Sequence, residues 1–139
     1  MPRWQRAIVI GASSGIGRSI ARQLALEGTA LSLVARRAEA LQELCDEIRE
    51  AGGGTTWSYV HDVRQTDEIS DLFAEMVSEM GGLDLVVYAS GVQPVVGPNQ
   101  FPVEVDLNTI ATNFSGAVAW LDVAADRFAR AAERQGEER

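Results

Sequence analysis

The sequence predicts an α/β domain, an open parallel sheet of about four strands with helices on both faces, and three observations carry that prediction. Short apolar or β-branched segments alternate with segments whose apolar residues recur at helical spacing, giving the pattern βαβαβαβα that crossover units require. Glycines stand where the helices should stop, at Gly28, at Gly52, Gly53 and Gly54, and at Gly81 and Gly82. The first strand is a continuous apolar run ending in glycine, as expected for a strand buried on both faces. With right-handed crossovers the expected strand order is 3-2-1-4, in a three-layer αβα arrangement within a single domain over residues 1–139.

Taken in order, residues 7–10 (AIVI) form the first strand, and Ile16, Ile20, Leu24 and Leu26 mark the helix after it. Residues 30–35 (ALSLVA) form the second strand. Residues 38–50 carry Leu41, Leu44 and Ile48 along one helical face, where the single cysteine, Cys45, reads as a small hydrophobe. Residues 55–60 (TTWSYV) are β-branched and aromatic, hence a third strand. Thr66 or Asp67 is placed to cap a helix through Ile69, Leu72, Phe73, Met76 and Met80. Residues 83–88 form a fourth strand, and residues 91–105, with Pro94, Gly97, Pro98 and Pro102, read as a loop. A long last helix is expected from about Asp106 through Leu107, Ile110, Phe114, Val118, Leu121 and Phe128, fraying in the polar stretch 133–139. On it Phe114, Val118, Leu121 and Ala125 are spaced to bury one face, with Trp120 and Ala124 extending the apolar surface.

A net charge of −8 disfavours duplex nucleic acid and anionic membranes as partners. No apolar run approaches a membrane span and the N-terminal segment is too short for a signal-peptide core, so the expected location is cytoplasmic. All twelve basic residues are arginine, and lysine is absent. The only histidine, His61, supports neither a Ser-His-Asp triad nor a His-based zinc site, so no metal is expected. It reads as a strand-end residue rather than a proton-transfer group.

Gly11, Gly15 and Gly17 follow the first strand and open the first helix. At that junction the first glycine permits a tight turn, the second lets backbone approach a pyrophosphate, the third allows close packing, and the helix N-terminus favours negative charge. This Rossmann-like context makes the signal stronger than the glycines alone. The stretch GASSGIG, with spacing G-x-x-x-G-x-G, resembles the cofactor loop of the short-chain dehydrogenase/reductase family. Asp62-Val63 after the third strand, a Gly91 turn after the fourth, and Asn113 in the last helix continue the resemblance from about residue 5 to 130.

The resemblance implies that Gly11, Ser13, Ser14, Gly15, Ile16 and Gly17 surround the pyrophosphate and adenosine ribose. It implies that Asp62 accepts a hydrogen bond from the adenine amino group, that Val63 packs on the ring, and that Ala89, Ser90 and Gly91 pass close to the nicotinamide-side ribose. Asn113 would be the one catalytic-tetrad position retained, holding a backbone kink and a relay water. Arg36 and Arg37 stand where an acidic residue would bind the ribose hydroxyls of NAD; two guanidiniums there suit a 2′-phosphate, so NADP(H) is expected over NAD. The plainer readings are a strand-end turn residue for Asp62 and a solvated helix start for the arginine pair.

The family's reactive Ser and Tyr-x-x-x-Lys have no counterpart here: Tyr59 and Tyr88 are the only tyrosines, and neither has a basic residue four positions on. Ile10 replaces a frequent Thr, and YASG at 88–91 replaces NNAG, losing polar ties to neighbouring strands. The expectation is therefore an NADP(H)-binding portion of a short-chain oxidoreductase, inactive by itself. The fourth-strand edge and the last helix are expected to meet a missing C-terminal portion or a second copy. The competing expectation is a non-catalytic NADP-binding or protein-interaction module. A receiver-type domain lacks its clustered carboxylates and late Lys in this sequence.

Overall fold

In a computed structural model that describes residues 1–137, four parallel strands, β1 (Arg6–Ile10), β2 (Ala30–Ala35), β3 (Thr56–Val60) and β4 (Leu85–Tyr88), lie in the order β3-β2-β1-β4. This is the expected order. Val9 sits opposite Leu33 on one side and Val87 on the other, and Leu33 sits opposite Ser58. Side chains of β1 alternate between two cores, Ala7 and Val9 to one and Ile8 and Ile10 to the other, which is why the strand reads as an unbroken apolar run.

The first core is closed by α1 (Gly15–Leu26), through Ala21, Leu24 and Ala25, and by α2 (Ala38–Glu50), through Leu41, Leu44, Cys45 and Ile48. Cys45 is a buried packing residue. Ile16 and Leu26, which the sequence pattern groups with the core positions, are 76% and 57% exposed. Ala21 and Ala25 are the fully buried apolar positions of this helix instead. The second core is closed by α3 (Ile69–Met80), through Ile69, Phe73, Met76, Val77 and Met80, together with the end of the chain. Neither Thr66 nor Asp67 caps α3 by its side chain: Thr66–Glu68 is a 3-10 turn and Glu68 occupies the cap position.

The last helix begins at Val103, three residues earlier than the sequence suggests, with Pro102 as its N-cap. A proline that breaks a helix interior is well tolerated where the first N–H groups have no partner. The helix runs as α4 (Val103–Ile110), a π-helical turn over Ala111–Ser115, and α5 (Gly116–Glu137). The polar stretch expected to fray is helical to Glu137, and its last two positions lie outside the described residues. The apolar assignment on this helix is corrected as well. Trp120 and Ala124 are the residues buried on the sheet, while Phe114, Val118 and Leu121 face outward and Ala125 is exposed. No helix among the described residues is long and apolar enough to cross a membrane.

Candidate functional site

In the order 3-2-1-4 the strand order reverses its progression between the parallel strands β1 and β4, and the C-terminal ends of these neighbouring strands open a crevice. The backbone ladder continues past both strands: Gly11 N–H donates to Val34 O at 2.8 Å and Ala89 N–H to Ile10 O at 2.8 Å. Gly11 (φ +86°) then turns directly beneath the β4 loop, where a Cβ would stand 2.6 Å from Ser90 N. Gly17 packs under the same turn, and a Cβ there would stand 2.1 Å from Gly11 O. No larger residue fits either position without backbone movement. Gly15, by contrast, faces open space, with nothing within 4 Å of a Cβ.

One cleft brings together Gly11, Ser13, Ser14, Arg36, Asp62, Val63 and the Ala89–Ser90–Gly91 loop. His61 also lines it; the residue is 5% exposed, with Nε2 3.1 Å from Gln65 O and its ring packed edge to face with Trp120. Gly15 and Ile16 lie exposed at the N-terminus of α1, which carries no acidic residue in its first turn and no side-chain cap. That end of the helix offers backbone N–H groups and a positive dipole to an anion. Among the described residues, no cluster of His, Cys, Asp or Glu is placed to hold a metal ion.

The arginine pair is split. Arg36 lines the cleft beside Asp62, whereas Arg37 is the N-cap residue of α2 and sends Nη2 to Ser13 O at 3.5 Å, a long contact. Asn113 lies in the π-helical turn and grips the β4 loop from outside: Val92 N–H donates to Oδ1 and Nδ2 donates to Val92 O, each at 2.7 Å. A π turn frees backbone groups from the helical ladder. Here the Tyr88 hydroxyl, pushed up to about 12 by burial, donates to Thr112 O at 2.5 Å. Tyr88 is thus a half-buried strand-end residue tied to the kink.

Two features have no counterpart in the sequence-based expectations. Gly116 leaves the π turn so close to the sheet that a Cβ would stand 2.7 Å from the Tyr88 hydroxyl and 2.9 Å from Val63 O. An isolated glycine within a helical pattern was the available signal. The Asp62 carboxylate is held by Arg64, whose hydrogen bonds bring its pKa to about 2 against the opposing effect of burial. The two residues are separated by one position in a turn, a spacing that side-chain periodicity does not report.

A family model described as short chain dehydrogenase matches residues 5–137. An uncharacterized oxidoreductase of Myxococcus xanthus is 38% identical over 118 residues, covering 85% of this chain and 46% of that protein. Among solved structures, actinorhodin polyketide ketoreductase with NADPH aligns with a TM-score of 0.79 at 34% identity, over 86% of this chain and 45% of its own. A short-chain type dehydrogenase/reductase from Mycobacterium marinum aligns with a TM-score of 0.81 at 33% identity, over 88% and 49%. The chain spans about half the length of these relatives. Strand order, glycine turn and sequence similarity agree, and the chain belongs to the short-chain dehydrogenase family of oxidoreductases.

Proposed function

We propose that this chain is the NADP(H)-binding portion of a short-chain oxidoreductase that acts on a carbonyl or alcohol substrate. The observation that carries the reading is the convergence of the glycine turn, Arg36, Asp62 and the β4 loop on one cleft at the switch between β1 and β4. A dinucleotide phosphate fits these residues. The N–H groups at the start of α1 and the open space over Gly15 receive the pyrophosphate, and Arg36 pairs with the 2′-phosphate. Asp62 and Val63 take the adenine, and Ala89, Ser90 and Gly91 the nicotinamide-side ribose. Asn113 holds that loop in place through Val92. The bound nicotinamide would supply or accept the hydride.

Proton transfer to the substrate needs a group these 139 residues do not offer. Lysine is absent, and both tyrosines have their pKa raised: Tyr59 by burial and its hydrogen bond to Glu79, Tyr88 by burial. A phenol that is harder to ionise is a poor general base near neutral pH. Binding without turnover is therefore the expected behaviour of the chain alone. The outer edge of β4 and the apolar outer face of α4 and α5 are the surfaces we assign to the remainder of the fold or to a second copy.

Calorimetric titration with NADPH and NADH tests the reading. NADPH should bind about tenfold or more tightly, as one charge-assisted phosphate contact supplies, and Arg36→Ala should bring the two to parity. Equal affinities unaffected by Arg36→Ala would overturn the NADP(H) preference. Ketone reduction by the purified chain with NADPH would overturn its assignment as binding without turnover.

A further inference from the structure

Arg64 makes contacts that the reading above leaves unused. Its backbone N–H donates to Asp62 Oδ1 at 3.0 Å, its Nε to Oδ1 and Oδ2 at 3.0 and 3.1 Å, and its Nη2 to Oδ2 at 2.5 Å. The remaining nitrogen, Nη1, turns away and donates to Asn108 Oδ1 on α4 at 2.5 Å. One guanidinium thus joins the β3–α3 loop to the helix whose π turn, five residues on, grips the β4 loop through Asn113. Planar, fixed donors are what distinguish arginine from a point charge in such a role. A carboxylate offers about four lone-pair directions. Each oxygen here receives one unshared donor, the Arg64 backbone N–H on Oδ1 and Nη2 on Oδ2, and a share of Nε, which leaves acceptor capacity on the carboxylate.

We propose that Arg64 is a positioning residue for base recognition: it fixes the Asp62 carboxylate in one orientation, anchored to Asn108, so that a carboxylate oxygen can accept from the 6-amino group of a purine in the cleft. The proposal rests on the cofactor reading above and adds a residue outside its contact set. A charged acceptor held in advance needs no reordering when the base arrives, and that preorganisation appears as selectivity for the base. An exposed ion pair with no such role would contribute little and would not distinguish one base from another.

The test compares NADPH with its hypoxanthine counterpart, in which a 6-oxo group replaces the 6-amino donor, by calorimetric titration into the wild type, Arg64→Gln and Arg64→Lys. The wild type should prefer NADPH by about tenfold, the effect of one hydrogen bond to a charged acceptor. Arg64→Gln should reduce that preference to about twofold or less while leaving the NADPH-over-NADH ratio, which depends on Arg36, unchanged. Arg64→Lys keeps the charge but loses the fork and should resemble Arg64→Gln. A full base preference in Arg64→Gln would overturn the proposal, and so would an equal loss for both cofactors with the ratio intact, the signature of a brace alone. If the wild type binds neither cofactor, the cofactor reading fails along with the proposal, and that result appears before any variant is compared.

Discussion

On the α1–α2 face of the sheet, Leu24, Leu41, Leu44 and Ile48 are all buried in one core with Val9, Leu31 and Leu33, whereas on the opposite face the 22 residues of α5 bury only Gly116, Trp120 and Ala124. Leu107, Phe114, Leu121 and Phe128, seven residues apart along the last helix, remain 59%, 66%, 45% and 37% exposed. The contrast shows two kinds of amphipathic helix. The α1 and α2 helices place their main apolar faces on the sheet, while α5 has a narrow seam on the sheet and a second apolar stripe turned outward. These exposed apolar side chains are the surface we propose is covered by further chain or a second copy. The outer edge of β4 adds unpaired backbone to the same half of the molecule.

The largest expected effect separates the two faces directly. Trp120→Ala removes the largest side chain in the α5 seam and should cost about 3–5 kcal/mol, against about 2–5 kcal/mol for Leu44→Ala in the closed core. Their distributions should differ in hydrogen exchange: Trp120→Ala should lose protection first over residues 116–137, whereas Leu44→Ala should lower protection across the sheet. Identical protection patterns in the two variants would remove the distinction between the faces.

A smaller effect tests the tie between β4 and the kink. The Tyr88 hydroxyl has a pKa of about 12 against an ordinary value of about 10, so between these values the unfolded chain releases its proton first. The stability contributed by protonated Tyr88 is therefore whole below pH 10 and is lost as pH rises toward 12. Tyr88→Phe should cost about 1 kcal/mol near neutrality and flatten the alkaline decline in the urea midpoint. An unchanged alkaline profile would detach Tyr88 from the stability of this half.

The smallest expected change in stability concerns the outward stripe. Replacing Phe114 and Leu121 together by serine should alter unfolding free energy by no more than about 0.5 kcal/mol per site, because neither side chain belongs to a core. Self-association measured by sedimentation velocity should weaken in the same variant. A strong loss of stability would mean that the stripe contributes to the fold itself and that the two faces are more alike than their burial suggests.

Much of the fold was legible in the sequence because it depends on local periodicity and on glycine. The bounds of α2 and the strand order agree with expectation, and the glycine turn sits at the junction its spacing indicates. The cleft residues Asp62 and Ser90 were named from the family resemblance, and with Gly11 they converge because each follows a strand and parallel strands bring their C-terminal ends to one side of a sheet. The start of the last helix was misplaced by proline chemistry, since Pro102 reads as a breaker but serves as a cap.

What the sequence by itself determined is the alternation of strands and helices, the glycine turn that admits close backbone contact, and a basic complement made wholly of arginine in these 139 residues. Only the tertiary structure decided which apolar face of the last helix meets the sheet, that Arg36 lines the cleft while Arg37 stands at the start of α2 and reaches Ser13 O, and that Arg64 secures Asp62 to Asn108. The physical reason is the range of the interactions. Periodicity and backbone sterics act within a few residues, whereas the choice between two adjacent apolar faces, or between two neighbouring guanidiniums, is made by partners that folding brings together from distant parts of the chain.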